Sequence, residues 1–425
     1  MPPATSVTRP PDAGSGTGRL TRAQVYRRRR LAVFGGGSLA LVVLLYLPFT
    51  LLAPLGSAQA VVRSSTVAAG QAAAPVLPAY GGTAVSAIGW DGLLVKGGDQ
   101  GARPIASVTK MITALVVLDA KPLKPGEAGP TITMTSADVQ YYQDAVRQNG
   151  TVAVARAGIR YTERDMLTVT LVKSANNYAT SMAVWAYGSL ERFLAAAKSW
   201  TAARGLTGTV LADASGLDPG SRSSPADLVA VGKLAMADPV LADIVDEQSF
   251  QVHDAGLIEN TNKLLGSSGV VGIKTGTLQG YGANLLFASR FRVGDRSVTI
   301  VGAVLGGADQ QQVRADVRAL IRSVKAGFRD LRLASKGAAL VDYSTRWGQR
   351  VRGVAARDAS ALVWSDTPVS LKVDATPTGL SAAGTRVGTA TYTAGATVVT
   401  VPIVLSAAIT DPGPGWRLTH PFSTG

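Results

Sequence analysis

The chain of 425 residues contains no cysteine and only two histidines, His253 and His420. The missing thiols exclude a disulfide framework, a thiolate metal site and a cysteine nucleophile. They leave the compartment open, because an exported protein can simply avoid thiols. With two histidines, a Ser-His-Asp triad or a His-rich zinc site would depend on one of them. Both read as ordinary surface or packing residues, and no metal site is expected. A serine enzyme here needs another base, and lysine is the obvious one. Sequence repeats are absent as well. Hydrophobic residues make up 46% and charged residues 16%, so most of the chain has the composition to fold. Its length allows two or three domains with a substantial core.

The net charge of +14 is unevenly placed. Residues 1–30 hold seven arginines and one acid, Asp12, and so carry +6 of it. Much of the basicity is therefore a tail and not a nucleic-acid-binding face, and no nucleic-acid partner is expected. The mildly cationic remainder suits an anionic cell wall. After Arg30 no charged residue occurs until Arg63. Residues 31–55 are apolar and exceed the roughly 20 needed to cross a bilayer. Arg27 to Arg30 hold the N-terminus in the cytoplasm by the positive-inside rule. Ala58-Gln59-Ala60 also has the form of a signal-peptidase site. The segment is thus a retained signal-anchor or a cleaved signal peptide. The run is longer than a usual signal core, which favours an anchor in the cell membrane with everything after about residue 60 outside.

The composition divides the chain further. Residues 1–30 read as a disordered basic cytoplasmic tail and 56–78 as a linker. Residues 83–95 are strand-like around a Trp90-Asp91-Gly92 turn, which predicts a hairpin. Apolar residues at helical spacing predict helices over 107–120, 164–172, 178–186, 190–204 and 225–236. Three apolar runs, 270–275, 284–291 and 298–305, read as neighbouring antiparallel strands. Val313, Val317, Leu320, Ile321, Val324 and Phe328 form the stripe of a closing helix. This pattern predicts an α+β domain over 79–332: an antiparallel sheet with helices on one side, plus an all-helical lobe. Beyond it, short β-rich runs separated by turns predict a small all-β domain over 333–425, a sandwich without helices.

Three strings within 79–332 carry chemistry: Ser107-Val108-Thr109-Lys110, Ser174-Ala175-Asn176 and Lys274-Thr275-Gly276. An isolated S-x-x-K arises by chance about once or twice in such a chain; the three in this order do not. Ser107 and Lys110 share a helix face. The serine hydroxyl needs a base, and Lys110 can serve only as a neutral amine. Burial and a nearby cation such as Lys274 would lower its pKa. Ser174 can relay a proton to a leaving amine, and Asn176 can hydrogen-bond Lys110 or a substrate amide. Lys274 and Thr275 can hold a substrate carboxylate. Gly276 lets an extended substrate lie against the strand. The Ser107 and Thr277 N–H groups can form an oxyanion hole.

With these strings, the contexts Ile105 to Met111, Leu171 to Asn177, Asp213-Ala214-Ser215-Gly216-Leu217 and Ser224 to Leu228 make residues 80–330 resemble the serine-type D-Ala-D-Ala carboxypeptidases, the low-molecular-mass penicillin-binding proteins. The resemblance implies the β-lactamase/penicillin-binding-protein-like transpeptidase fold. It implies attack by Ser107 on the D-Ala-D-Ala bond of a peptidoglycan stem peptide, release of D-Ala and hydrolysis of the acyl-enzyme. β-Lactams would acylate the same serine, and no cofactor is implied. The second motif has Ala175 where glycine is more usual. The family's frequent C-terminal amphipathic anchor is not seen, and residues 31–55 would take over that task. The same motifs serve D,D-endopeptidases and transpeptidases. A β-lactamase would need a carboxylate to hold its deacylating water; Glu163 and Asp165 precede the second motif without a suitable setting. A catalytically silent wall-binding protein is the reading from another class.

Overall fold

Runs such as Leu285-Leu286-Phe287-Ala288 and Ile300-Val301-Gly302-Ala303-Val304 are apolar at consecutive positions, so a strand built from them must be buried on both faces. The computed structural model, which describes residues 21–63, 70–253 and 256–421, builds a five-stranded antiparallel sheet from them. Its strand order is Val270–Leu278, Gly282–Val293, Arg296–Gly307, Gly82–Ala87, Val95–Gly98. One face, with Leu286, Ala288, Val301 and Ala303, packs on helices Thr109–Ala120 and Pro225–Ala237. The other face, with Leu285, Phe287, Ile300 and Val304, packs on Val313, Val317, Leu320 and Ile321 of helix Gln310–Ala326. Both faces are thus covered, which corrects the expectation of helices on one side only. Each fully buried Val, Leu, Ile or Phe contributes about 1.5–3 kcal/mol, so this core is a principal source of stability.

A helical lobe inserts between the hairpin at the start of the sheet and its last three strands. Helices Glu163–Leu171, Asn176–Tyr187, Leu190–Ala203 and Pro225–Ala237 lie where apolar spacing placed them. Helices Ser136–Arg147 and Pro239–Asp246 were not foreseen. The first carries a short stripe of Val139, Tyr142, Ala145 and Val146 among polar residues, and of these only Ala145 is buried. The expected helix 107–120 begins differently: residues Ala106–Val108 form a single 3-10 turn, and the α-helix starts at Thr109.

Three expectations at the ends of the chain need correction. Residues 1–20 lie outside the described residues, but Arg22–Leu51 is one helix, so the basic stretch from Arg22 is helical. Thr21 and Gln24 form a capping box at its start, and arginine is a good helix former. Among the described residues this helix is the one long and apolar enough to cross a membrane.

The segment read as a linker contributes strand Gln59–Val62, which pairs antiparallel with Ala339–Ser344. It becomes an edge of a six-stranded sheet with Arg350–Ala355, Thr397–Leu405, Arg386–Ala394 and Val369–Ala375. Arg63 then pairs with Asp342 at 2.8 Å. The Ala73 and Val76 N–H groups donate to Ser365 Oγ and Ser323 Oγ. Ala60-Val61-Val62 has β-propensity, and an exposed sheet edge offers it a ladder.

The β-rich C-terminal region holds a core of Val341, Tyr343, Val363, Ala390, Val401 and Ile403. Strand Phe328–Ala334 crosses the expected 332/333 boundary and pairs with Ala359–Trp364. A short helix, Pro414–Thr419, interrupts the expected all-β tail, with proline at its start, where a missing N–H costs nothing. Arg417 on this helix donates to Ala53 O at 2.7 Å and pairs with Asp411.

Candidate active site

Strand Val270–Leu278 is an edge strand of the central sheet, so one side of its backbone is unpaired. The turn Ala106–Val108 packs against it, directly after Arg103–Pro104. Gly276 permits this approach. A Cβ there would lie 2.6 Å from Ile105 O and 3.1 Å from Ser107 N. The glycine therefore brings the strand against the Ser107 turn, a different reason from the substrate clearance read in the sequence. Across the turn, Gly216 at φ +80° approaches equally closely, since a Cβ would sit 1.9 Å from Ala106 O. Ala106 itself adopts φ +50°. A non-glycine residue in that region stores strain of order 1 kcal/mol or more, and here it sits one residue before Ser107.

Lys110 is fully buried. Its Nζ lies 2.8 Å from Ser107 Oγ and 2.8 Å from Ser215 O, and 2.5 Å from Asn176 Oδ1. The last two atoms can only accept hydrogen bonds. A neutral amine has two N–H groups and one lone pair, so those acceptors take both N–H groups and the lone pair faces the Ser107 hydroxyl. Burial pushes the Lys110 pKa well below the usual lysine value, and the Lys274 charge lowers it further, while Asp213 opposes both. The geometry and the protonation tendency thus agree on Lys110 as an acceptor for the Ser107 proton.

Lys274 is also buried, and burial lowers its pKa to about 7. Its Nζ donates to Thr275 O at 3.1 Å and to Thr261 Oγ1 at 3.4 Å. The Thr261 and Thr275 hydroxyls are 2.7 Å apart. Thr261 N–H donates to Val172 O, tying this strand to the helical lobe just before the second motif. Thr277 is exposed at the end of the motif. Ser174 is buried in the interhelical turn at φ +65°, and among the described residues its hydroxyl has no hydrogen-bond partner.

Asn176 opens helix Asn176–Tyr187, and its own N–H donates to Thr151 O at 2.8 Å. The structure therefore gathers Ser107, Lys110 and Asn176 by direct contact. It sets Lys274, Thr275, Gly276 and Thr277 along the strand beside them.

Some contributors were given no role by the sequence, although the Asp213 to Leu217 string was part of the resemblance. Ser215 presents its carbonyl to Lys110 because the Asp213 carboxylate gathers the turn. It accepts from Ser215 N at 3.2 Å, Ser215 Oγ at 2.6 Å, Gly216 N at 2.8 Å, Leu217 N at 3.0 Å and Ser221 Oγ at 2.7 Å. Asn284 links Pro104 O at 3.2 Å to Gly306 N at 3.0 Å, and so braces the approach to the Ser107 turn. Glu163 is buried, but beside Gly129, and its Oε1 lacks a hydrogen-bond partner among the described residues. Asp165 caps its own helix through Thr162. Neither carboxylate is bonded to Ser107 or Lys110.

The profile of the D-alanyl-D-alanine carboxypeptidases, peptidase family S11, matches residues 92–306. The chain belongs to this family. Among curated S11 relatives, D-alanyl-D-alanine carboxypeptidase DacC of Escherichia coli K12 is 30% identical over 206 residues, 47% of this chain and 50% of that protein. DacB2 of Mycobacterium tuberculosis is 35% identical over 193 residues, 44% of this chain and 62% of the relative. A D-alanyl-D-alanine endopeptidase of Pseudomonas aeruginosa is 30% identical over 139 residues, 33% of this chain and 42% of it. The chain thus spans about half of the curated relatives' lengths. Penicillin binding protein 5 of Haemophilus influenzae superposes with a TM-score of 0.56 at 17% identity, over 83% of this chain and 100% of that one. That likeness shows the shared penicillin-binding-protein fold.

Proposed function

We propose that this S11 chain is a serine D-alanyl-D-alanine carboxypeptidase that trims the terminal D-Ala from peptidoglycan stem peptides. The observation that carries the reading is the Lys110 amine, 2.8 Å from Ser107 Oγ, with its two N–H groups engaged by Asn176 Oδ1 and Ser215 O. Lys110 accepts the Ser107 proton as the oxygen attacks the carbonyl of the penultimate D-Ala. The Ser107 and Thr277 N–H groups hold the developing oxyanion. Lys274 and Thr275, with the Thr277 hydroxyl, bind the terminal carboxylate. Ser174 relays the proton from Lys110 to the leaving amine, and D-Ala departs. Water then attacks the ester, giving its proton to Lys110, which passes it to Ser107 Oγ as the C–O bond breaks and the shortened peptide leaves. Proton and acyl group balance within these residues, so the cycle needs no cofactor. A β-lactam would follow the acylation half of this path.

Residues 31–55 anchor the chain in the cell membrane, with the groove on the outer side. The buried setting of Glu163 against Gly129 and the capping role of Asp165 speak against a β-lactamase, because neither carboxylate stands where it could hold a deacylating water. The test is covalent labelling by penicillin together with D-alanine release from a peptide ending in D-Ala-D-Ala. Wild type should do both, and Ser107→Ala neither. A label that persists in Ser107→Ala would refute the site, and rapid penicillin turnover would favour a β-lactamase. Cleavage of cross-linked dimeric stem peptides in place of D-Ala release would favour an endopeptidase.

A further inference from the structure

Gln310 lies outside every motif, at the first residue of the helix that covers the far face of the sheet. Its side chain nevertheless ends at the third motif. Gln310 Nε2 lies 2.9 Å from Gly276 O, 3.0 Å from Thr277 Oγ1 and 3.2 Å from Asn284 O, so its two N–H groups are shared among three acceptors. Two of these partners are backbone carbonyls, so the nitrogen end of the amide must face them. Gln310 Oε1 is buried and has no partner among the described residues. Buried polar atoms are nearly always paired, so the side chain holds this place through its nitrogen alone. The ladder between the second and third strands shifts register between Ala283 and Leu285. Asn284 is the residue skipped there, while on its other side it pairs with Gly276, and the carbonyls of that pair converge on Gln310.

In a trans peptide the C=O and the following N–H point in opposite directions. Fixing Gly276 O on Gln310 therefore turns the Thr277 N–H toward the unpaired edge of the strand, where the Ser107 turn packs. The Thr277 hydroxyl accepts from the same Gln310 nitrogen, which leaves its own proton to point into the groove.

We propose that Gln310 is a positioning residue for acyl transfer, setting the Gly276–Thr277 peptide so that the Thr277 N–H and hydroxyl proton face the reacting substrate. This rests on the serine-peptidase reading above and adds a specific support to its oxyanion hole. Removing an oxyanion donor outright costs about 100–1,000-fold in kcat; a donor that is present but poorly aimed should cost less.

The test uses the full chain in detergent. Gln310→Met keeps the length and removes both N–H groups. It should lower the penicillin acylation rate and kcat for D-Ala release about tenfold or more, with KM changed less than about threefold. Affinity for a peptide boronic acid, whose tetrahedral adduct resembles the transition state, should fall in parallel. Gln310→Glu places a carboxylate against two carbonyls. It should lose more, and recover relative to wild type at low pH as the carboxyl regains a proton to donate. A kcat within twofold of wild type in Gln310→Met, or a loss confined to KM, overturns the proposal. So does a Gln310→Glu deficit that ignores pH, and this reading survives even if the methionine variant folds poorly. A wild-type chain that never labels with penicillin sinks this proposal and the parent reading together. A wild type that labels, with Gln310→Met indistinguishable from it, sinks this one alone.

Discussion

Asp213→Asn separates two roles of one carboxylate, because the structure assigns each a sign. The carboxylate accepts five hydrogen bonds, from Ser215 N, Ser215 Oγ, Gly216 N, Leu217 N and Ser221 Oγ. Asparagine retains one oxygen. In its best orientation that oxygen keeps the Ser215 and Leu217 contacts, and the new NH2 faces the Gly216 N–H, donor against donor. A hydrogen bond to a charged group is worth about 1.5–3 kcal/mol, and those that survive weaken when the charge goes. The expected destabilisation is about 3–5 kcal/mol, large against the roughly 5–15 kcal/mol typical of a native protein. A fall in the thermal midpoint would register it.

The second role is electrostatic. Asp213 raises the Lys110 pKa against the lowering by burial and by Lys274. Its neutralisation lowers that pKa further, so Lys110 stays a base in more acidic solution. The acid limb of penicillin acylation against pH should therefore move to lower pH, even as the protein becomes less stable. An acid limb that stays in place or moves upward would refute the assignment of Lys110 as the base under the influence of Asp213.

Two further outcomes follow from buried charges. Lys274 has its pKa lowered by burial to about 7, so kcat/KM for a carboxylate-terminated peptide should decline as pH rises through that value. Lys274→Arg keeps the charge and should push the decline to far higher pH; an unchanged limb in that variant would remove Lys274 from the carboxylate site. Burial raises the Glu163 pKa from 4.5 to about 7, with Lys121 opposing. The unfolded chain ionises this carboxyl first. The stability it allows is therefore intact below about pH 4.5 and is lost as pH rises toward 7. Glu163→Gln should flatten that decline and gain up to about 3 kcal/mol at pH 8, read as a higher thermal midpoint in the alkaline range with no gain at pH 4.

The candidate catalytic strings were legible because the chemistry proposed for them demands particular residue types at short spacing. The helices bearing apolar stripes and the three long strands were legible for a similar reason: their periodicity answers to one buried face or two. Positions that act through backbone atoms were not. The Ser215 carbonyl reaches Lys110, but any residue has a carbonyl, and only the folded turn shows which one is aimed. Gly276 was visible as a glycine, yet its reason lies in Ile105 O and Ser107 N, more than 160 residues earlier in the chain. Residues 56–78 look like a tether by composition, since Ala and Gln are mixed with Val, Ser, Gly and Pro and no single propensity or period runs through them. The strand within them forms because a sheet edge about 280 residues later is free to receive it. Helix Ser136–Arg147 carries only a short stripe, Val139, Tyr142 and Val146, set among polar residues, and buries Ala145 alone.

Strand Gln59–Val62 completes an edge that would otherwise stand open along Ala339–Ser344. A soluble version of the protein trimmed to begin after Arg63 would carry a row of unused N–H and C=O groups there, an invitation to stack edge to edge with its neighbours. Trimming instead at about Ser57 would discard the greasy helix while sparing the strand. Where the knife falls within a dozen residues thus decides whether the trimmed protein behaves as single molecules or as clumps.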